Sequence, residues 1–364
     1  MTKKESIKQE RSIHRFIFII LLIIFFSLGT ISLAKASGLL IPSQPEPLIE
    51  QNRLSLDSLT LEQKIAQMII VAGNSRNLIA WKKMQLGGIH LFAQKDEALF
   101  RETIQQFQAG MSIPFLVTVD LEGCQNPFGT FKEFTPASEI TREGAAFEKG
   151  SEEGKFLASL GISVNFAPVV DLDDQIWKCR TFPGDAEQIA TFAEAYTLGL
   201  QKEGVQATAK HYPGKTLVAQ DPHQFIVAAE ITPADLYPYQ KLSSSVGGIM
   251  VSHIISSGAI SSNGLPSVTS PQVVHALREN YHGLIISDEI NMLGLKNFYK
   301  TPEELYLAVF RAGNDLILNF NEDPLEIYQM ITVIKNAVEN GDLAEEQIDQ
   351  SVRRILMVKG LTVQ

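Results

Sequence analysis

The segment KHYPGKTLVAQDPHQ, residues 210–224, sets Lys210 and His211 at the end of an apolar run and Asp221 and His223 in the loop that follows. A carboxylate two residues from an imidazole can hold the ring in one tautomer and raise its basicity, which equips the histidine to carry protons in catalysis. An Asx-turn beside a surface histidine would give the same pattern, so the pair needs support from the rest of the chain.

That support comes from where the other polar residues fall. Asp120, Asp171, His253, Asp288 with Glu289, and Asn319 each stand at or just past the end of a short apolar, often β-branched run, as Lys210 and His211 do. The runs cover residues 65–73, 87–94, 113–120, 162–171, 205–213, 247–254, 283–289 and 314–320, and each is followed by room for a helix. Eight such units predict an α/β fold, a (β/α)8 TIM-type barrel forming a single catalytic domain, in which the C-terminal strand ends converge on one face. A doubly wound open sheet is the competing architecture, but its G-x-G-x-x-G turn after the first strand is missing. Residues 324–359 read as two further helices packed outside.

Composition narrows the class of partner. The 364 residues are 45% apolar and 20% charged, which describes a globular chain rather than a disordered or fibrous one. A net charge of -10 and a pI near 5.3 argue against nucleic acid as a partner, because phosphate binding needs a basic face.

The N-terminus is different in character. Residues 1–15 are polar and basic, residues 16–34 are almost uninterruptedly apolar, and Ala34-Lys35-Ala36 has the form of a signal cleavage site. Residues 1–36 are therefore expected to be a signal peptide, with an uncleaved N-terminal membrane anchor as the alternative because the run approaches bilayer-spanning length. Either places the body of the protein outside the cytoplasm, periplasmic or secreted. Residues 37–53, with Pro42, Pro45 and Pro47, read as a linker, and residues 54–364 as the barrel domain. Cys124 and Cys179 could pair in an oxidising compartment or remain two separate thiols, since sequence does not report their distance.

From Leu54 to the C-terminus the chain resembles glycoside hydrolase family 3, in its β-N-acetylhexosaminidase branch. The resemblance is carried by LTLEQKIAQM, LGGIHLFAQ, IPFLVTVDLEG, GISVNFAPVVDL, CRTFPGD, AKHYPGK, DPH, LIISDEINMLGL and DQSVRRILMVK, in that order. It implies a retaining glycosidase acting on a cell-wall-type glycan that bears N-acetylglucosamine; no cofactor and no metal are expected. Asp288 falls on the family's nucleophile, and Asp221 with His223 on its acid/base pair. Asp120 matches a carboxylate that accepts hydrogen bonds from sugar hydroxyls, and Arg180, Lys210 and His211 match the donor cluster around the same ring. Glu289, one residue past Asp288, is expected to point away if strand alternation persists. Arg180 could instead simply pair with Asp171 or Asp185. An imidazole acid/base repels an anionic acceptor less than a carboxylate would, which leaves transfer to phosphate open beside hydrolysis.

The chain also departs from the family pattern. Where the family continues D-x-E-G-G-x-V-x-R, this sequence reads DLEGCQNPFGTF, with Cys124 for the second glycine and Phe128 at the position of a sugar-contacting arginine. Lys215 and Thr216 replace a His-Gly pair, and Pro222 replaces a serine in a loop that the mechanism needs to move. These changes point to an altered substrate. The alternative is an impaired barrel that binds cell-wall glycans without cleaving them. Metal-dependent hydrolysis has His211, His223 and His253 to draw on, but the H-x-H expected after the first strand of such barrels is absent.

Overall fold

The computed structural model describes residues 38–172, 174–215 and 225–364, with a few isolated positions before them. The expected signal or anchor, and the apolar run 16–34 within it, lie outside the described residues apart from those positions. The loop carrying Asp221 and His223 lies outside them as well. Among the described residues no helix is long and apolar enough to cross a membrane.

Eight parallel strands form one sheet: β1 Ile69–Ala72, β2 Gly88–His90, β3 Leu116–Val119, β4 Val164–Asn165, β5 Gln206–Tyr212, β6 Gly248–Val251, β7 Leu284–Ser287 and β8 Ile317–Leu318. They are ordered β7-β6-β5-β4-β3-β2-β1-β8. The sheet closes on itself where Ser287 N–H donates to the Leu316 carbonyl at 2.8 Å and Leu316 N–H to the Ile285 carbonyl at 3.2 Å. Every predicted apolar run supplies one of these strands. The runs lack polar alternation because barrel strands are covered on both faces, and β1, β3, β6 and β7 are buried throughout.

Helices surround the barrel: α1 Leu61–Gln67 precedes β1, and α2 Leu78–Met84, α3 Glu97–Gln108, α4 Glu143–Leu160, α5 Ala186–Lys202, α6 Pro233–Leu242 and α7 Pro271–Asn280 follow β1 to β6 in turn. After β7 come the short α8 Leu293–Phe298 and α9 Pro302–Ala312; after β8 come α10 Pro324–Glu339 and α11 Glu345–Val358, the two outer helices read from sequence. Local signals set several starts. Asp185 and Thr60 each cap a helix reciprocally with a glutamine three residues on, satisfying amide groups the helix itself leaves open.

One feature of the packing bears on the site. Helices α4 and α5 approach closely because Gly150 and Gly199 face each other's helix, where an added Cβ would lie 2.1 Å from the Tyr196 carbonyl and 2.2 Å from that of Phe147. At the other end, Ile49–Glu50 pairs antiparallel with Arg53–Leu54, and the C-terminal Thr362–Val363 joins the same small sheet. Ile41 is buried in the core.

Candidate active site

The polar strand ends do converge. A pocket of about 240 Å³ opens at the C-terminal end of the barrel, and Asp120, Arg180, Lys210, His211 and Asp288 all line it. Four of these come from the ends of β3, β5 and β7 and Arg180 from the loop between β4 and α5, and the eight-stranded closure brings them to a common mouth. Its apolar walls include Phe92, Phe166, Met292 and Phe320.

Lys210 is the hub of one side. Its Nζ donates to Asp120 Oδ1 at 2.5 Å and to Glu122, while the Glu122 carboxylate also accepts from Arg180 Nε. Burial alone would discharge Lys210, but the two carboxylates outweigh it and hold its pKa above the usual lysine range. Asp120 shows the reciprocal effect: burial opposes its charge, yet Lys210 holds its carboxyl far below the ordinary carboxylate range. Both groups are thus fixed as ions.

Glu122 was not singled out from sequence, although it links the two cations that were. The signal was available, because residues two apart on an extended segment share a face and Glu122 follows Asp120 by two. Arg180 pairs with Glu122 rather than with Asp171 or Asp185: Asp171 takes His211, and Asp185 caps α5. Asp171 Oδ2 lies 2.7 Å from His211 Nδ1, while His211 Nε2 lies 3.5 Å from Arg180 Nη2. An arginine can only donate, so this arrangement puts the proton of His211 on Nδ1, facing Asp171. The Lys210–His211 peptide is cis.

Opposite this cluster, Asp288 extends from β7. Burial tends to raise its pKa, but His253, His211, the Glu289 backbone N–H and Lys210 together bring it below the usual aspartate value. His253 therefore belongs to the electrostatics of the site, although it does not line the pocket. Glu289 lines the pocket as well, contrary to the alternation expected from sequence. The reason is local: β7 ends at Ser287, so neither acid is in regular strand geometry. Glu289 Oε1 accepts from Asn291 N (2.9 Å), Asn291 Nδ2 (2.8 Å) and Phe320 N (3.1 Å), and burial raises its pKa despite those bonds.

The departures from the family pattern are also resolved in part. Phe128 is fully buried, with its ring 4.8 Å from Phe100 and 5.0 Å from Phe156 between centroids, so it contributes nothing polar to the pocket. Cys124 and Cys179 form a disulfide with their Cα atoms 5.7 Å apart. It ties the loop after Glu122 to the loop carrying Arg180. Lys215 lies over α6, donating to the Glu230 carbonyl at 2.7 Å and 3.3 Å from Asp235. Thr216, Asp221, Pro222 and His223 are outside the described residues.

Comparison with known proteins agrees with this geometry. The family profile described as the glycosyl hydrolase family 3 N terminal domain matches residues 60–358. A β-hexosaminidase, LpqI, of Mycobacterium bovis is 26% identical over 329 residues, covering 83% of either chain. A β-hexosaminidase of Thioalkalivibrio sulfidiphilus is 29% identical over 261 residues, 65% of this chain and 74% of its own. Among solved structures, a family 3 glycosyl hydrolase of Mycobacterium smegmatis superposes with a TM-score of 0.76 at 25% identity, covering 84% of this chain and 98% of that one.

Proposed function

The chain belongs to glycosyl hydrolase family 3 and is a glycosidase, and from that premise we propose that it is a retaining enzyme that removes terminal β-linked N-acetylglucosamine, or a closely related sugar, from cell-wall-type glycans such as peptidoglycan. The relatives named as β-hexosaminidases support this choice of sugar. The observation that carries the reading is the ionised Asp288 facing the Asp120–Lys210–Glu122–Arg180 cluster across one small pocket.

In this reading an Asp288 oxygen attacks the anomeric carbon as the glycosidic C–O bond breaks, and His223, oriented by Asp221, gives its proton to the leaving oxygen. Water then attacks the same carbon, His223 takes a proton from it, and the Asp288 carboxylate leaves. Asp120, Glu122, Asp288 and Glu289 outweigh Arg180 and Lys210 in the pocket lining, and this excess favours the positive charge that develops on the sugar in the transition state. Asp120, Arg180, Lys210 and His211 hold the ring hydroxyls, and their buried charges reject sugars that leave them unpaired. Synthesis with a signal or anchor at residues 1–36 and function outside the cytoplasm complete the proposal, supported by the N-terminal pattern and by a disulfide beside the site.

The test is release of nitrophenol from an N-acetyl-β-glucosaminide, combined with mass detection of a trapped fluorosugar that keeps the C2 acetamido group, such as a 5-fluoro N-acetylglucosaminyl fluoride. Label on the peptide containing Asp288, and loss of turnover by about 1000-fold in Asp288→Asn and His223→Ala, support the reading. Label elsewhere, or full activity of Asp288→Asn, overturns it. A wild type that binds peptidoglycan fragments but cleaves no glycoside would make this a binding barrel instead.

A further inference from the structure

A second pocket of about 320 Å³ adjoins the first, and the two share Phe92, Asp120, Glu122 and Arg180 as their common wall. Asp288 lines only the first. Strand β7, which leads to Asp288, and β3, which leads to Asp120 and Glu122, are four positions apart in an eight-stranded ring and so stand on opposite sides of it. A pyranose with its anomeric carbon at Asp288 therefore presents its far edge, bearing the C3, C4 and C6 substituents, toward Asp120 and Glu122. The second pocket lies beyond that edge.

This space is a built site. Its wall contains Gln125, Pro127 and Trp177, and the Arg180 guanidinium sits 4.7 Å from the Trp177 ring centre. Asp174 fixes the Trp177 loop, accepting from Trp177 N at 2.9 Å, Arg180 N at 3.2 Å and Cys179 N at 3.3 Å. The Cys124–Cys179 disulfide ties that loop to the Gln125 side. Phe128, at the position where the resemblance leads one to expect an arginine, turns into the aromatic core and leaves the space open. Aromatic rings beside carboxylates and a side-chain amide suit a neutral sugar, which has apolar C–H faces and a rim of hydroxyl donors. The carboxylates disfavour an anion there.

We infer that the second pocket binds a neutral sugar attached to the far edge of the residue being cleaved, so that the enzyme releases a disaccharide unit as well as a single sugar. The inference rests on the hydrolytic reading above. The bond broken is the same C1–O bond with water as acceptor, and only the released fragment differs.

The nitrophenyl β-glycosides of N-acetylglucosamine and of its β-1,4-linked disaccharide provide the test, with released sugars identified by mass. Intact disaccharide should appear together with nitrophenol, at a kcat/KM at least tenfold above that of the monosaccharide glycoside. Ala93→Trp, which fills the second pocket, and Trp177→Ala, which removes its ring, should each lower that ratio at least tenfold. Stepwise release of N-acetylglucosamine from the disaccharide glycoside, or a ratio unmoved by both variants, overturns the inference. If neither glycoside is hydrolysed, the hydrolytic reading fails and calorimetric binding of the two free sugars decides the pocket separately. Tenfold tighter binding of the disaccharide, lost in Ala93→Trp, supports the second site; equal affinities overturn it.

Discussion

Asn165, at the end of β4, grips Leu121 by both of its backbone polar groups: its Oδ1 accepts from Leu121 N at 2.9 Å and its Nδ2 donates to the Leu121 carbonyl at 3.0 Å. Leu121 is the residue between Asp120 and Glu122, so this clamp fixes two pocket carboxylates from behind. Asn165 Nδ2 is also 3.0 Å from Tyr196 Oη, which donates to Glu153 at 2.6 Å in the tight α4–α5 contact. Asn165→Ala should cost about 3 kcal/mol of stability, since buried partners are left unsatisfied. It should also raise KM more than it lowers kcat; calorimetric melting and steady-state kinetics check the two effects.

Glu122→Gln removes the anion shared by Lys210 and Arg180 but preserves shape. Lys210 keeps Asp120, whereas Arg180 loses the negative charge it is paired with. On the scale of about 2 kcal/mol for a hydrogen bond to a charged group, kcat/KM should fall roughly 30-fold. A drop in kcat/KM no larger than twofold would show that Arg180 is positioned without this carboxylate.

His90 carries a pH signature. Burial pushes its pKa down to about 4, with Asp120 opposing and Lys210 assisting, while its Nδ1 lies 3.0 Å from Thr118 Oγ1. A depressed histidine is neutral when folded and takes up a proton on unfolding, so its contribution is present above pH ~6.5 and is lost as pH falls from there to about 4. The amount at stake is about 3 kcal/mol. His90→Gln should flatten the acid limb of stability between pH 4 and 6.5, measured by urea unfolding at stepped pH. An unchanged limb would show that other groups set it.

The disulfide joins residues 55 apart in sequence and ties the loop after Glu122 to the loop carrying Arg180. Loop-closure entropy for such a span is worth about 4 kcal/mol. The Cys124→Ser, Cys179→Ser double variant should melt lower and should raise KM, because the Arg180 loop loses its tie to the Glu122 loop. A lowered melting temperature with unchanged KM would assign the bridge to stability alone.

How much of this was legible without coordinates differs by type of feature. The eight strands were readable because a strand covered on both faces must be continuously apolar and must end where polarity begins, so the barrel and its polar rim followed from local pattern. Asp120, Lys210, His211 and Asp288 stand at those ends, and their shared pocket follows from barrel closure. Partner choice was not readable. Arg180 had Asp171 and Asp185 as candidate partners, and only the packing of the β3 and β4 loops sent it to Glu122 instead and left Asp171 to His211. The outward turn expected of Glu289 failed for a similar reason, since alternation stops where hydrogen-bonded pairing stops, and that endpoint at Ser287 is set by neighbouring strands. The sequence alone determined which chemical groups the barrel rim would carry, because those depend on residue type and local periodicity. Only the tertiary structure decided which charges meet, that the two cysteines bond, and that Phe128 turns inward, because each depends on side chains from distant segments competing for the same space.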